Sequence, residues 1–242
     1  MLKFGLIGKN IDYSFSRSFF SEKFQQEKIN ASYENCHLEN IEEFRNLLVN
    51  KKWSGFNVTI PYKVEIIPFL DELSSEAEEI GAVNTIEVRG DKLIGHNTDY
   101  IGFLKSIEDS LESHHKKALV LGTGGASKAI LFALKKKGID FSCVSRDKKL
   151  GDLDYSSIDK KVLLEHQLII NCTPLGTFPE VNEYPKIPYS NIKESYFLYD
   201  LIYNPPLTRF LELGKQGGAK IMNGQQMLIE QALAAWSIWN KK

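Results

Sequence analysis

The chain contains 242 residues, of which 43% are hydrophobic and 25% charged, an ordinary globular composition that excludes disordered, collagen-like and coiled-coil classes. Lys and Arg number 30 and Asp and Glu 31, so the formal net charge of -1 gives no global basic excess for binding nucleic acid. No apolar run approaches the roughly 18–20 residues that cross a membrane. We therefore expect neither a nucleic-acid partner nor a membrane partner.

The chain has three cysteines, Cys36, Cys143 and Cys172. This sparse, odd set forms neither a disulfide framework nor a CxxC metal pattern, and we expect no metal site. The apolar stretch at the N-terminus is too short for a signal peptide, because Gly8 ends it and polar residues follow. Both features predict a cytoplasmic protein.

The first part of the chain mixes predicted strands and helices. Short apolar runs predict strands at Leu2–Ile7, Ala31–Cys36, Phe56–Thr59, Ala82–Val88 and Lys92–Ile94. Apolar residues at helical spacing predict helices at Ser18–Lys28, Asn40–Asn50 and Val64–Glu79. We expect Asn40 to cap the second of these helices and Pro68 to disturb the third. Arg89-Gly90-Asp91 predicts a hairpin turn between the last two strands.

The pattern changes after a helix predicted at Tyr100–Leu111 and a linker at Ser113–Lys116. Continuous apolar runs then predict buried strands at Ala118–Leu121, Ile139–Val144, Leu168–Ile170 and Phe197–Tyr199. Further helices are predicted at Ala126–Lys137 and Gln225–Trp239. Strands that alternate with helices indicate an α/β fold with parallel strands.

A glycine-rich turn separates the first of these buried strands from its helix. It reads Gly122-Thr123-Gly124-Gly125-Ala126. In such a turn the first glycine permits a tight bend, the second lets the backbone approach a pyrophosphate, and the helix N-terminus offers free N–H groups. The context of strand before and helix after predicts a dinucleotide-binding turn; the alternative is a glycine turn without a ligand.

The residues at the end of the next strand bear on the choice of cofactor. An NAD site usually has an acidic residue there, whereas an NADP site has an arginine for the 2′-phosphate. Here Ser145 and Arg146 occupy this point, which predicts NADP. Asp147 follows directly and keeps NAD open as the alternative.

A series of polar and glycine-containing segments extends along the chain. They are Asn57–Lys63 (NVTIPYK), Ile80–Thr85 (IGAVNT), Gly95–Gly102 (GHNTDYIG), Gly122–Ala126 (GTGGA), Asn171–Gly176 (NCTPLG), Asp200–Pro205 (DLIYNP) and Gly224–Ala232 (GQQMLIEQA). In sequence and in order, these segments resemble the motifs of the shikimate dehydrogenase family.

The resemblance implies an enzyme of the shikimate pathway that reversibly reduces 3-dehydroshikimate to shikimate with NADPH. It also implies two α/β domains: a substrate-binding domain at 1–101, which the C-terminal helix at 225–242 rejoins, and a Rossmann-type NADP-binding domain at 102–224. The active site would lie in the cleft between them. The partners would be a small-molecule substrate and the cofactor, in a monomer or homodimer.

Ketone reduction needs a proton donor at the oxygen that receives the hydride, and Lys63 with Asp99 is the pair we expect to supply it. A lysine ammonium donates to the developing alkoxide, and its amine accepts the proton in the reverse direction. Asp99 would hold Lys63 in position and bind a neighbouring hydroxyl. The alternative is an ion pair with a purely structural role.

The resemblance also assigns residues that bind the substrate and line the nicotinamide. Ser14 and Ser16 match the pair that binds the carboxylate, and capping of a nearby helix is their alternative, compatible role. Thr59, Asn84 and Gln231 match hydroxyl-binding positions, and Tyr203 matches a further substrate-binding tyrosine. Leu201 and Gly224 match positions on the nicotinamide side, although Leu201 is equally suited to a core and Gln231 to a polar helix face.

The chain departs from the family pattern at two places. Tyr13 and Arg17 replace the histidine and proline of the family's HSxSP segment. On the adenine side, Leu150 stands where the family has a second basic residue, and Lys148 or Lys149 would have to replace it.

The chain is also short for the resembled family. Arg146–Gln167 must supply a helix, a strand and their connections, yet Asp147–Asp159 has little helical pattern. We therefore expect a shortened edge of the second sheet beside the adenine pocket.

Three further functions remain open on the sequence. They are an NAD-dependent quinate/shikimate dehydrogenase, a nucleotide-binding module without catalysis that serves regulation or assembly, and a Rossmann dehydrogenase for an unrelated ketone. The intact Lys63 and Asp99 argue against loss of catalysis, and the many hydroxyl-binding side chains favour a polyhydroxylated acid.

Overall fold

A computed structural model describes residues 1–12, 14–49, 52–147 and 149–240 of the chain. The chain divides into two compact units. Unit 1 contains Met1–Thr98 and the chain from Ala232 onward, and unit 2 contains Asp99–Gln231.

Unit 1 is built on a mixed sheet that, within the described ranges, has six strands in the order β2-β1-β3-β5-β6-β4. The strands are β1 (Leu2–Gly8), β2 (Ala31–His37), β3 (Gly55–Val58), β4 (Glu72–Leu73), β5 (Thr85–Arg89) and β6 (Lys92–His96). β1 runs parallel to β2 and β3, whereas β5 is antiparallel to both β3 and β6. The predicted hairpin is confirmed, with Arg89 paired to Lys92.

The helices of unit 1 differ in extent from those predicted. They are α1 (Phe15–Gln26), α2 (Phe44–Leu48) and α3 (Ser75–Ile80). α1 begins before the predicted Ser18, because the Ser14 hydroxyl accepts a hydrogen bond from the Ser16 N–H and caps the helix there. Asn40 is the N-cap residue of a 3-10 turn rather than of α2, and its side chain makes no capping hydrogen bond: its amide instead donates to the Glu43 carboxylate at 2.9 Å. A 3-10 turn precedes α2, and the predicted end at Asn50 lies outside the described residues.

The single helix predicted over Val64–Glu79 is also wrong. Pro68 lies within a 3-10 turn at Ile67–Phe69, and β4 and α3 follow as separate elements. Proline lacks the N–H that continues a helix. Ser74 then starts α3 by accepting a hydrogen bond from the Ala77 N–H at 3.2 Å.

Unit 2 contains a sheet whose described strands are all parallel, in the order β11-β10-β9-β7-β8. The strands are β7 (Lys117–Leu121), β8 (Asp140–Val144), β9 (Leu168–Asn171), β10 (Phe197–Asp200) and β11 (Lys220–Met222). The helices are α4 (Asp99–Ile107), α5 (Gly125–Lys137), α6 (Lys160–Glu165) and α7 (Arg209–Gln216). Separate apolar clusters cover the two faces of this sheet, which explains the continuous apolar runs.

Four elements were not predicted, namely β4, α6, α7 and β11. Each is short, and a short element leaves too few residues for periodicity to show. The predicted linker at Ser113–Lys116 is confirmed as an irregular connection before β7, and all of its residues except His115 are exposed. Within it, His115 is 4% exposed and accepts a hydrogen bond from the Glu112 N–H.

The shortened edge expected beside β8 is present. The strand order is that of a doubly wound sheet that lacks the strand outside β8. In its place the chain makes one isolated bridge, between Val144 and Leu153. The Asp152 carboxylate accepts a hydrogen bond from the Cys143 N–H at 2.8 Å and holds this return segment.

The last helix, α8 (Gln225–Trp239), starts in unit 2 and ends in unit 1. In unit 1, Trp236 and Trp239 pack against Phe4, with ring centroids at 5.8 and 4.6 Å. The Trp239 indole N–H donates to the Ile86 carbonyl at 2.9 Å, and its ring occupies the space where a side chain on Gly55 would lie. The predicted return of this helix to the first part of the chain is confirmed. Among the described residues, no helix is long and apolar enough to cross a membrane.

Candidate active site

The glycine turn between β7 and α5 has the geometry of an anion-binding site. Gly122 has φ 101°, which favours glycine, and a side chain there would approach the Thr173 methyl at 3.0 Å. Gly124 is the N-cap of α5. A Cβ added to Gly124 or Gly125 would meet no described heavy atom within 4 Å, so open space lies outside the helix N-terminus. This space and the N–H groups of the first helical turn fit a pyrophosphate.

The end of β8 carries the residues predicted to select the cofactor. Ser145 is buried, and its hydroxyl accepts a hydrogen bond from the Asp147 N–H at 3.2 Å and lies 3.5 Å from the Thr123 hydroxyl. Arg146 is exposed. The Asp147 carboxylate accepts a hydrogen bond from the Lys149 N–H at 2.9 Å, so one of its oxygens is engaged in the turn. The predicted substitute Lys148 lies outside the described residues.

The nicotinamide-side candidates Leu201 and Gly224 are direct neighbours. A side chain on Gly224 would overlap the Leu201 carbonyl, which explains why glycine stands there. Tyr203 follows two residues after Leu201 and is 40% exposed. Sequence reasoning missed three buried polar residues at the same edge of the sheet, Asn171, Asp200 and Thr208. Asn171 and Asp200 are the first residues of two of the motifs, and this position was the sequence signal by which they could have been found.

In unit 1, Asn84 is 3% exposed and is bonded to the residue before Asp99. Its side-chain amide donates to the Thr98 hydroxyl at 2.9 Å, and its oxygen accepts from the Thr98 N–H at 2.6 Å. Asn57 donates to the Asn84 carbonyl at 3.2 Å and accepts a hydrogen bond from the Tyr33 hydroxyl at 2.7 Å. Asn57 and Thr98 were not predicted as site residues, although both lie within the motifs. Asn84 thus fixes the chain at the start of α4 in addition to its predicted role.

The turn that carries Thr59 and Lys63 is held by its backbone. The Thr59 N–H donates to the Ile7 carbonyl at 2.8 Å, and the Lys63 carbonyl accepts from the Val83 N–H at 2.7 Å. The Tyr62 side chain is buried and donates to the Leu38 carbonyl at 2.8 Å. Lys63 itself is half-buried.

Ser14 and Ser16 lie together at the start of α1. Ser14 caps the helix, which is the alternative role that the sequence allowed. Ser16 is 9% exposed. Burial raises the pKa of Tyr33 well above its ordinary value. Tyr13, which departs from the family pattern, lies outside the described residues.

In unit 2, Asp99 and Gln231 lie on two helices that touch. Asp99 begins α4 and is 6% exposed, and Gln231 on α8 is 7% exposed. A Cβ on Gly102 would come 2.5 Å from the Met227 carbonyl oxygen and 2.9 Å from the Gln231 nitrogen, so glycine permits the close packing of α4 on α8. The Gln231 side-chain amide donates to the Leu228 carbonyl at 2.9 Å. Over the described ranges, no group of three or more His, Cys, Asp or Glu side chains is placed to hold a metal ion.

A parallel, doubly wound sheet with an open glycine turn defines unit 2 as a dinucleotide-binding type of α/β fold. Residues 6–86 match the family model described as the shikimate dehydrogenase substrate binding domain. A relative from Clostridium botulinum (strain Hall), named Shikimate dehydrogenase (NADP(+)), is 39% identical over 97% of this chain and 95% of its own length. The chain belongs to the shikimate dehydrogenase family, as its motifs predicted.

Solved structures of shikimate dehydrogenases match the fold over nearly the whole chain. The shikimate dehydrogenase of Aquifex aeolicus matches with a TM-score of 0.89 and 36% identity, covering 99% of this chain and 92% of that one. The shikimate 5-dehydrogenase of Thermus thermophilus, solved in complex with NADP(H) and shikimate, matches with a TM-score of 0.88 and 29% identity, covering 99% of this chain and 94% of that one. The predicted two-domain α/β class is confirmed.

Proposed function

We propose that the protein is an NADP-dependent oxidoreductase that reversibly reduces 3-dehydroshikimate to shikimate. The observation that carries the proposal is the open N-terminal end of α5, with its glycine turn, in a chain whose full-length relatives are named Shikimate dehydrogenase (NADP(+)). The turn provides a site for a pyrophosphate, and the names of the relatives give the reaction.

The cofactor supplies a hydride to the carbonyl carbon when it is bound. Gly122, Thr123, Gly124, Gly125 and Ala126 surround the pyrophosphate, which the N–H groups of α5 bind. Ser145 and Arg146 hold the ribose 2′-phosphate, since a guanidinium pairs a phosphate bidentately. Leu201 and Gly224 flank the nicotinamide.

Cofactor choice is supported by the hydrogen bonds of Asp147. An acidic residue selects NAD by accepting from the ribose hydroxyls. The Asp147 carboxylate already accepts from the backbone of its own turn, while Arg146 is exposed beside it. This arrangement favours NADP over the NAD-dependent alternative.

Acid–base chemistry falls to Lys63 and Asp99. Lys63 donates a proton to the oxygen of the reduced carbonyl, and in shikimate oxidation its amine accepts the hydroxyl proton. Asp99 orients Lys63 and binds a neighbouring hydroxyl. Both residues begin or end segments that hydrogen bonds hold in place, as catalytic positioning requires.

Substrate recognition rests on hydroxyl and amide side chains. They are Ser14 and Ser16 for the carboxylate, Thr59, Asn84 and Gln231 for the hydroxyls, and Tyr203 as a further substrate contact. Sites that hydrogen-bond a substrate hydroxyl reject analogues that lack it, because the buried partner is left unpaired. We assign substrate binding to residues 1–101 with 225–242 and cofactor binding to 102–224.

A steady-state assay of shikimate and quinate, each with NADP+ and with NAD+, tests the proposal. We expect shikimate with NADP+ to give the highest kcat/KM. Preferred turnover of quinate with NAD+ would establish the alternative dehydrogenase, and no turnover with any pair would support a nucleotide-binding module. Size-exclusion chromatography distinguishes the expected monomer and homodimer, and cell fractionation tests the expected cytoplasmic location.

A further inference from the structure

Three buried polar side chains lie at the carboxyl edge of the unit 2 sheet, beside the loop that carries Leu201 and Tyr203. Asn171 ends β9, Asp200 ends β10, and Thr208 caps α7. None of the three is more than 1% exposed. Because burying a carboxyl group is unfavourable unless its partners compensate, this cluster requires an explanation that the acid–base pair does not give.

The Asp200 carboxylate receives hydrogen bonds from three separate segments. Its Oδ1 accepts from the Asn171 side-chain amide at 3.0 Å and from the Ile202 N–H at 3.1 Å. Its Oδ2 accepts from the Thr208 hydroxyl at 2.6 Å. All three partners donate, which suits an ionised carboxylate, because that form only accepts whereas the protonated form carries an O–H that must itself donate.

Asn171 extends these contacts to the glycine turn. Its side-chain oxygen accepts from the Thr173 N–H at 3.0 Å and from the Thr173 hydroxyl at 2.7 Å. The Thr173 hydroxyl oxygen in turn accepts from the Leu175 N–H at 3.3 Å. The Thr173 methyl lies directly beneath Gly122. The carboxylate is therefore connected to the floor of the pyrophosphate site.

On its other side, the carboxylate fixes the loop after β10. Ile202 stands between Leu201 and Tyr203, and its N–H is bonded to Asp200. The Leu201 N–H donates to the Asn171 carbonyl at 3.0 Å, so both ends of the Leu201 segment are tied to this cluster.

We propose that Asp200 is a positioning residue whose carboxylate fixes the loops after β9 and β10, so that Leu201 and Tyr203 present nicotinamide and substrate in the reactive geometry. The proposal rests on the proposed function for the identity of those ligands. Misplacement of a reacting group by about 1 Å costs as much as ~10²-fold in rate, so loosening this loop lowers kcat.

Protonation provides a signature of this role. Burial raises the pKa of Asp200 to about 7, although its hydrogen bonds with Thr208, Ile202 and Asn171 lower it. The titratable groups that interact with it electrostatically are Cys172, Tyr189 and Tyr199, whose pKa values burial also raises, so they stay neutral in this range. As pH falls through about 7, the protonated carboxyl no longer accepts all three bonds and the anchoring weakens.

The test compares variants of the full chain that change one partner at a time. Asp200→Asn keeps the shape of the side chain but loses one acceptor oxygen. Thr208→Val removes the hydroxyl that donates to Asp200, whereas Thr208→Ser retains a hydroxyl at this position. Tyr199→Phe is the matched control, because it removes a buried hydrogen bond of the same strand, to the Ser106 hydroxyl at 2.8 Å, away from both loops.

We expect Asp200→Asn and Thr208→Val to lower kcat for shikimate oxidation at least tenfold, with the KM for NADP+ within about threefold. Thr208→Ser and Tyr199→Phe should stay within about twofold of the parent. Amide hydrogen exchange over 171–176 and 200–208 should accelerate only in the first two variants. The kcat–pH profile of the parent should show a step near pH 7 that Asp200→Asn lacks.

The proposal is overturned if Thr208→Val retains the parent kcat and exchange pattern, even where Asp200→Asn fails to fold. It is equally overturned if Tyr199→Phe shows the same loss of kcat, because the effect would then be general loss of stability. A parent enzyme without shikimate activity would refute the proposed function instead, and hydrogen exchange would still decide whether Asp200 anchors the two loops.

Discussion

At the residue scale, the backbone of Lys63 is fixed by hydrogen bonds although its side chain is flexible. Its carbonyl is bonded to Val83, one residue before Asn84, and Asn84 in turn binds the residue that precedes Asp99. Within unit 1, a backbone hydrogen bond of Lys63 and a side-chain hydrogen bond of Asn84 thus hold the turn that carries the proposed acid and the residue that precedes Asp99. Such indirect linkage allows a flexible side chain to act from a fixed base.

Replacing Lys63 by alanine tests the acid–base assignment. We expect Lys63→Ala to lower kcat by ~10²–10⁴-fold, the usual contribution of a general acid or base. NADPH affinity, measured by fluorescence titration, should not change. Lys92→Ala is the control, because Lys92 is an exposed lysine paired with Glu72 on the surface of unit 1. Unchanged turnover in Lys63→Ala would remove Lys63 from the mechanism.

Arg146 tests the choice of cofactor. Arg146→Ala should weaken NADPH binding by ~10-fold or more and NADH binding little, because only NADPH carries the 2′-phosphate that forms charge-assisted hydrogen bonds. Calorimetric titration of both cofactors measures the difference. Arg89→Ala, at an exposed arginine paired with Glu87, serves as the control. An equal loss for NADPH and NADH would show that Arg146 does not contact the 2′-phosphate.

At the scale of elements, two helical glycines differ in their surroundings, one in close packing and the other facing open space. Gly102 permits the contact of α4 with α8, whereas Gly125 faces open space at the start of α5. We expect Gly102→Ala to destabilise the protein by about 1–3 kcal/mol, the usual cost of overpacking, and to lower its melting temperature. Gly125→Ala should keep the melting temperature of the parent and weaken NADPH binding, because the added methyl group occupies the pyrophosphate side.

Equal melting temperatures for the parent and Gly102→Ala would contradict close packing of α4 on α8. Unchanged NADPH affinity in Gly125→Ala would contradict the assignment of the open space to the cofactor. Because each variant is the other's control, the pair separates stability from binding.

Elements with long, regular patterns were predictable, and those decided by one side chain were not. β7, α5 and the hairpin of β5 and β6 followed from apolar runs and turn residues. The region Val64–Glu79 did not, since Pro68 and the cap at Ser74 override its apolar spacing. The candidate site residues came from motifs, and Asn171 and Asp200 also begin motifs, but their hydrogen bonds to each other and to Thr208 came only from the fold, because contacts between β9, β10 and α7 leave no local pattern.

At the scale of the whole molecule, buried and surface carboxylates influence stability in opposite directions. Lys9 and His37 bond to Glu39 and lower its pKa from an ordinary 4.5 to about 2. The small stabilisation of the folded state that these bonds provide is therefore lost as the pH falls from 4.5 through about 2. Asp200 has a pKa of about 7 against an ordinary 3.8. Between these values the folded state holds a proton that the unfolded chain has lost, and stability therefore decreases as pH rises through this window.

Asp200→Asn should remove that decrease. We expect the urea concentration at the unfolding midpoint of the parent to decrease when the pH is raised from about 5 to about 8. The midpoint of Asp200→Asn should decrease less, because the amide does not titrate. Identical pH dependence in the two proteins would show that ionisation of Asp200 does not lower the free energy of unfolding.

Unit 1 is completed by residues that lie on the far side of unit 2 in the sequence. Phe4 and Phe20 pack against Trp239, whose indole also reaches Ile86. During synthesis on the ribosome, the chain up to Thr98 therefore emerges with an uncovered aromatic surface, and all of Asp99–Gln231 must follow before α8 is available to cover it. Unit 2 is one continuous stretch of chain, so we expect it to complete its fold before unit 1 does, although the first residues of unit 1 are synthesised earlier.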